Sequence, residues 1–233
     1  MAVPRSLSFL RIGTGAQGLE VYLDPLCPFS AKMTKSLTTN VLPLLSKGGK
    51  YDGQLSLIAR IYPQPFHYLG SIHTEALLVF GAAYPGLFWT YLSAVRLAPP
   101  LCHVHVRGIA DVRSAQIMET QETYYNQKAA KLTIDEVRDQ LVHLAIKTLE
   151  EEHAISGPTS KVYGDLRAKL EVTTSPNGGN EATAGLKHTV KIGRQNGIHV
   201  TPTVLFDGLK EDSVSSSWGK DEWEKFLKEK LES

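Results

Sequence analysis

The sequence predicts an α/β protein in which a helical insertion separates two halves of one sheet-containing domain. Three observations predict it. Two strand-length apolar runs, residues 19–24 and 54–62, bracket a helix of period near four, the order of a parallel βαβ unit. The pattern then turns wholly helical over residues 67–170. It returns to helix, strand, turn, strand and helix over residues 181–231. The division that follows is a discontinuous domain of residues 1–66 and 173–233, with residues 67–172 as an inserted helical subdomain.

Each element has its own signal. Apolar side chains dominate residues 19–24, as in a strand covered on both faces, and Asp24-Pro25-Leu26 ends it. A helix opens at Cys27, because Pro28 suits the first helical position, where a missing N–H is no loss. Phe29, Met33 and Leu37 recur every four residues as its buried stripe, with Lys32 and Lys35 off it. Pro43 ends or kinks that helix and Gly48-Gly49 breaks the chain. Leu55, Leu57, Ala59 and Ile61 share one face of the second strand, and Pro63 and Pro65 stop it.

In the insertion, Ile72, Ala76, Val79 and Phe80 form one helical stripe. Leu87, Phe88, Tyr91, Leu92 and Val95 form a second. Ile134, Val137, Leu141, Leu144 and Thr148 form a third, with Thr133 as its N-cap. Val162, Leu166 and Leu170 mark a shorter helix, and Pro176-Asn177-Gly178-Gly179 a loop. A helix over residues 181–196 stops at Gly197. Thr201-Pro202 leads into the strand Thr203-Val204-Leu205-Phe206. The Asp207-Gly208 turn predicts an antiparallel partner at residues 212–217. Trp223, Phe226, Leu227 and Leu231 form the buried face of a last helix, with Glu224 and Lys228 as an i,i+4 pair.

Composition narrows the function. A net charge of +1 gives no reason to expect a nucleic-acid or membrane-surface partner. No run of about 18 apolar residues is present, so no membrane span is expected. Arg5 and Arg11 bracket Ser6-Leu7-Ser8-Phe9-Leu10, which is too short and too polar for a signal-peptide core. The two cysteines, Cys27 and Cys102, lie far apart, and a disulfide-stapled secreted domain carries more. The expected setting is therefore cytoplasmic and reducing. Composition leaves the oligomeric state open.

Four stretches carry a resemblance. Cys27-Pro28-Phe29-Ser30 follows the first buried strand and opens a helix. Thr201-Pro202-Thr203-Val204 precedes the last strands. Phe88-Trp89 with Tyr91-Leu92, and Pro65-Phe66-His67, mark the insertion. With the order of elements, these resemble the thioredoxin fold in its DsbA-type branch, over residues 19–231. The resemblance implies a thioredoxin-like fold, Cys27 at the position of the leading active-site cysteine, and Thr201-Pro202 at that of a cis-proline loop. That loop would lie beside the cysteine and offer Thr201 backbone groups to an extended peptide or glutathione. The alternative for Pro202 is a simple strand-entry proline.

The sequence departs from that pattern at Ser30, where the branch carries a second cysteine that releases the substrate. A serine hydroxyl cannot do that, so a mixed disulfide on Cys27 needs an outside thiol, glutathione being the natural co-substrate. Cys27 at a helix N-terminus is expected to be an exposed, activated thiol, against the alternative of a buried small hydrophobe. Ser30 either hydrogen-bonds the Cys27 thiolate or is an ordinary helix-start serine. Pro28, Phe29, Thr201 and Pro202 are the expected substrate-binding residues. Cys102 with His103 and His105 makes Cys-His-x-His, but a metal site needs three or four converging ligands, so no metal and no tightly bound cofactor is expected. His67 and His199 fall near the site's edges, and His199 is either an anion-stabilising or a packing residue. Asp24 reads as a turn residue or a proton relay.

Three functions stay open. One is a monothiol oxidoreductase acting on protein or glutathione mixed disulfides. The second is a glutathione-dependent transferase or isomerase of kappa-like architecture, a class that resembles this one and uses glutathione's own sulfur. The third is a redox-inactive binding module.

Overall fold

The two apolar runs become adjacent parallel strands because the helix between them crosses one face of the sheet and returns the chain in the same direction. The structure is a computed structural model and describes residues 3–93 and 117–232. Its sheet has five strands: β1 (Arg11–Ile12), β2 (Gln17–Leu23), β3 (Leu55–Ile61), β4 (Thr203–Phe206) and β5 (Leu209–Lys210). They lie in the order β1-β3-β2-β4-β5. β2 and β3 run parallel, with Val21 opposite Ala59 and Leu23 opposite Ile61. β4 lies antiparallel on the other side of β2, with Val21 opposite Val204.

The helices follow as α1 (Pro28–Asn40), α2 (Gly70–Ala83), α3 (Ile134–Glu151), α4 (Thr159–Lys169), α5 (Thr183–Gln195) and α6 (Lys220–Glu232), with shorter turns between them. On one face of the sheet, Leu19, Val21 and Leu23 join Met33 and Leu37 of α1 and Trp223 and Phe226 of α6 in the main core. The indole N–H of Trp223 donates to Ser36 Oγ at 2.8 Å, fixing α6 against α1. On the other face, Tyr22 and Leu205 pack with Ile198 and with Ile192 of α5. α5 comes close to β3's exit because Gly193 has no Cβ, where one would meet the Tyr62 ring. Insertion side chains Phe80, Val137, Leu141 and Leu149 belong to the main core. The Trp89 indole also donates to Thr38 Oγ1 of α1 at 2.8 Å.

The structure corrects several expectations. β3 is buried along its whole length, because Ser56 and Arg60 on its second face are covered too. Pro43 starts a short helix, Leu42–Leu45, where its missing N–H is harmless; α1 has already ended at Asn40. The partner of β4 is β5, not residues 212–217, because Asp207 (φ 47°) and Gly208 (φ 85°) make a two-residue turn that pairs Phe206 directly with Leu209. Ile134, at the first position of α3, is 51% exposed, whereas Thr133 forms a full capping box with Glu136. Glu224 pairs with Lys220 at 3.6 Å, one turn before the expected Lys228. The N-terminal segment, to which the sequence assigned no element, adds Leu7, Phe9 and Leu10 to the core and supplies β1. Val95 lies outside the described residues.

α2 also buries a histidine. His73 is fully buried, its Nδ1–H donates to the Leu69 carbonyl at 2.9 Å, and its ring meets Tyr124 edge-on at 4.5 Å. Burial pushes its pKa from 6.5 down to about 4, with the Leu69 bond opposing. Between those values the unfolded chain binds a proton that the folded chain refuses, so this contribution is complete above 6.5 and lost as pH falls toward 4. Its full size is roughly 3 kcal/mol. The urea midpoint should fall between about pH 7 and pH 5, and His73→Phe should flatten that slope. An unchanged slope in the variant would assign the acid sensitivity elsewhere.

Candidate active site

β2 and α1 meet at the turn 24–28, and this turn builds the site. Cys27 is the N-cap of α1, in extended conformation (φ −87°, ψ 121°), with Pro28 opening the helix as the sequence required. The Cys27 thiol donates to the Thr201 carbonyl at 3.3 Å. The Thr201–Pro202 peptide bond is cis. The loop carrying it is held by the Thr203 hydroxyl, which donates to the Val200 carbonyl at 2.7 Å. The fold thus brings residues 27 and 201, remote in sequence, into direct contact.

Three readings change at this site. Cys27 is only 6% exposed, so its thiol is covered and not freely exposed. Ser30 is fully buried, and its Oγ accepts the Asp24 backbone N–H at 3.1 Å. That bond ties α1's first turn to the end of β2, the role of a helix-start serine. Phe29, assigned to the core stripe, is 61% exposed, and the buried stripe begins one turn later, at Met33 and Leu37. Pro28 is exposed as well.

Asp24 is fully buried and accepts three hydrogen bonds. Its Oδ1 takes the Leu26 N–H at 2.8 Å, and its Oδ2 takes the Gln64 N–H at 2.7 Å. The third donor is His67 Nδ1, 2.7 Å from Oδ2. Three donors compensate a carboxylate withdrawn from water. The sequence offered Asp24 and His67 as separate candidates; the structure makes them a pair. His199 is exposed.

Sequence reasoning missed the segment of residues 117–127. Gln121 Nε2 donates to the carbonyls of Pro25 and Cys27, at 3.2 and 3.4 Å, and its Oε1 accepts the Tyr125 hydroxyl at 2.8 Å. Asn126 Nδ2 donates to the Phe66 carbonyl at 2.8 Å. This segment braces the turn from the insertion side and leaves a cleft lined by Leu26, Pro28, His67, Tyr124, Tyr125, Asn126 and Gln127. Burial holds the Tyr125 phenol above its ordinary range, with the charges of Glu122 and Cys27 adding to it. No local motif marks these positions, since their role comes from contacts about ninety residues away in the chain. Cys102, His103 and His105 lie outside the described residues. Among the described residues no group of three or more His, Cys, Asp or Glu side chains is placed to hold a metal ion, and no helix is long and apolar enough to cross a membrane.

Exposed apolar side chains lie on the segments that meet at the turn. Phe29 (61%), Phe66 (60%), Tyr68 (75%) and Val200 (63%) are among the most exposed large apolar side chains described. They come from α1, from the exit of β3 and from the cis-proline loop, the three segments that frame the turn.

No protein-family model and no curated protein matches the chain. Solved structures do. A candidate protein-disulfide isomerase from Pseudomonas syringae superimposes with a TM-score of 0.64 at 18% identity, over 95% of this chain and 99% of that one. DsbA from Chlamydia trachomatis gives 0.54 at 17% identity, over 98% and 93%. MdbA, a thiol-disulfide oxidoreductase from Corynebacterium diphtheriae, gives 0.53 at 14% identity, over 87% and 81%. At these identities the likeness is one of fold. The chain has a thioredoxin-like fold of the DsbA type.

Proposed function

We propose that this chain is a thiol–disulfide exchange protein with a single active-site cysteine, Cys27, which forms and releases mixed disulfides with proteins or with glutathione. The observation that carries the reading is the Cys27 thiol at the N-terminus of α1, in contact with the carbonyl that precedes the cis-proline. First-turn amides and the helix dipole favour negative charge there, and the thiolate is the attacking species in exchange. Structural neighbours that are thiol-disulfide oxidoreductases support the same class of chemistry. The open apolar surface of Phe29, Phe66, Tyr68 and Val200 supports an extended peptide as the disulfide-bearing substrate.

Ser30, tied to Asp24, has no sulfur with which to resolve an adduct. The release step therefore needs a second thiol, and glutathione fills that role as co-substrate, with no tightly bound cofactor. A cytoplasmic, reducing setting is part of the proposal, because the cycle draws on a pool of free thiol.

The test is incubation of the Cys102→Ala variant with oxidised glutathione, read by intact mass and peptide mapping. One glutathionyl group should be gained, located on Cys27, and lost again on addition of reduced thiol. A protein that gains none while the denatured chain reacts at once would overturn the reading and leave a binding module.

A further inference from the structure

We propose that His67, held by Asp24, is the proton-transfer group for the thiol that releases Cys27, so that an Asp–His pair takes over part of the work of the absent second cysteine. This rests on the monothiol reading above. A carboxylate has no hydrogen to give, so His67 Nδ1 carries the hydrogen in its 2.7 Å bond to Asp24 Oδ2. That fixes Nε2 as the nitrogen free to take a proton. Asp24 has no exposure of its own, and its Oδ1 is already committed to the Leu26 N–H. It acts as the positioning residue, setting the ring's orientation and tautomer. His67 is 20% exposed and lines the cleft with Leu26 and Pro28, the residues on either side of Cys27. A small thiol entering that cleft meets imidazole on one wall and the cysteine's own turn on another.

The incoming thiol gives its S–H proton to His67 Nε2 while its sulfur attacks the sulfur bound to Cys27. The Cys27 disulfide bond breaks, a new disulfide joins the two small-thiol sulfurs, and the bond's electron pair leaves on Cys27 Sγ. The two small thiols are together oxidised to a disulfide and Cys27 is reduced. The proton on His67 then passes to Cys27 or to water. The titratable groups around His67 are Asp24, in direct contact, and Tyr124 and Tyr125, which line the same cleft; Glu122 and Cys27 act on Tyr125 in turn. Burial holds both phenols above their ordinary range, so they stay uncharged over the relevant pH.

The experiment preforms the Cys27–glutathione adduct in a Cys102→Ala background and follows its release by added glutathione against pH. Uncatalysed exchange falls tenfold per pH unit below the thiol's pKa of about 8.5, since only thiolate attacks. With a base at Nε2, the rate should fall far less steeply than that below about pH 8.5. His67→Asn keeps a donor where Nδ1 sits and removes the base. Its release should be slower by about 10²-fold near pH 6.5, with the steep profile restored, and should approach the parent rate above pH 9. A parent profile that itself falls tenfold per unit overturns the proposal without any variant. So does a His67→Asn protein slowed by one factor at every pH, which is the mark of a purely structural role. Failure of the adduct to form in the parent overturns the exchange reading itself, and is seen before the release step begins.

Discussion

Cys27→Ser should reduce exchange with disulfides to the uncatalysed background, a loss on the order of 10⁴-fold or more, the scale on which enzymes lose rate with their nucleophile. The fold should survive. Serine is a favoured N-cap, and its hydroxyl can donate to the Thr201 carbonyl in place of the thiol. The residue is almost entirely covered, so a smaller side chain opens little surface. A well-folded protein without activity would then assign the chemistry to the sulfur. The measurement is turnover of a glutathionylated peptide, with circular dichroism and thermal midpoint as controls. Retained activity would have a different meaning. A kappa-like transferase works on glutathione's own sulfur, and a serine at position 27 could still hydrogen-bond that thiolate. The same variant thus separates two functions that one fold accommodates.

The sheet's centre and the site's two halves were legible in the sequence for a physical reason. β2 and β3 are covered on both faces, so their apolar runs are nearly continuous, and Pro28 can open a helix only at its first turn. The contact between Cys27 and Thr201 was legible through resemblance alone, since no spacing rule links residues so far apart. What escaped was polar and non-local. Gln121 and Tyr125 carry no pattern that marks them as braces for the turn 24–28; only the folded insertion brings them there. Phe29 fitted a four-residue stripe, but periodicity says which face a residue shares, not whether the core extends that far along the helix. β5 was displaced in expectation because a two-residue turn leaves no slack between strands.

Arg60→Met should destabilise the protein by about 3–5 kcal/mol, a large share of a domain's total stability. Arg60 and Glu20 lie in the central strands β3 and β2, are 2% and 0% exposed, and meet at 2.7 Å through Nε and Oε2. Neither was singled out in the sequence, where each is one charged residue inside an apolar run. The pair is incompletely satisfied, because Glu20 Oε1 and Arg60 Nη2 are both buried without a hydrogen-bond partner among the described residues. α5 closes over this face and adds His188, whose pKa is lowered by burial first and by the Arg60 charge second. Removing the guanidinium leaves a carboxylate in the sheet with nothing to balance it, which is the costly case. Replacing both, Glu20→Leu with Arg60→Met, removes both desolvation penalties and fills the space with apolar atoms. The double variant should return to within about 1 kcal/mol of the parent, or exceed it. Denaturant midpoints at constant slope measure this, and the alkylation rate of Cys27 reads whether the site is intact. β2 runs directly into Asp24 and Cys27, so a slipped strand would move the thiol relative to Thr201 and change that rate. A double variant as unstable as Arg60→Met, with altered alkylation, would mean that the ion pair sets the alignment of β2 on β3. A stable double variant with an unchanged rate would mean that apolar packing alone holds the strands in register.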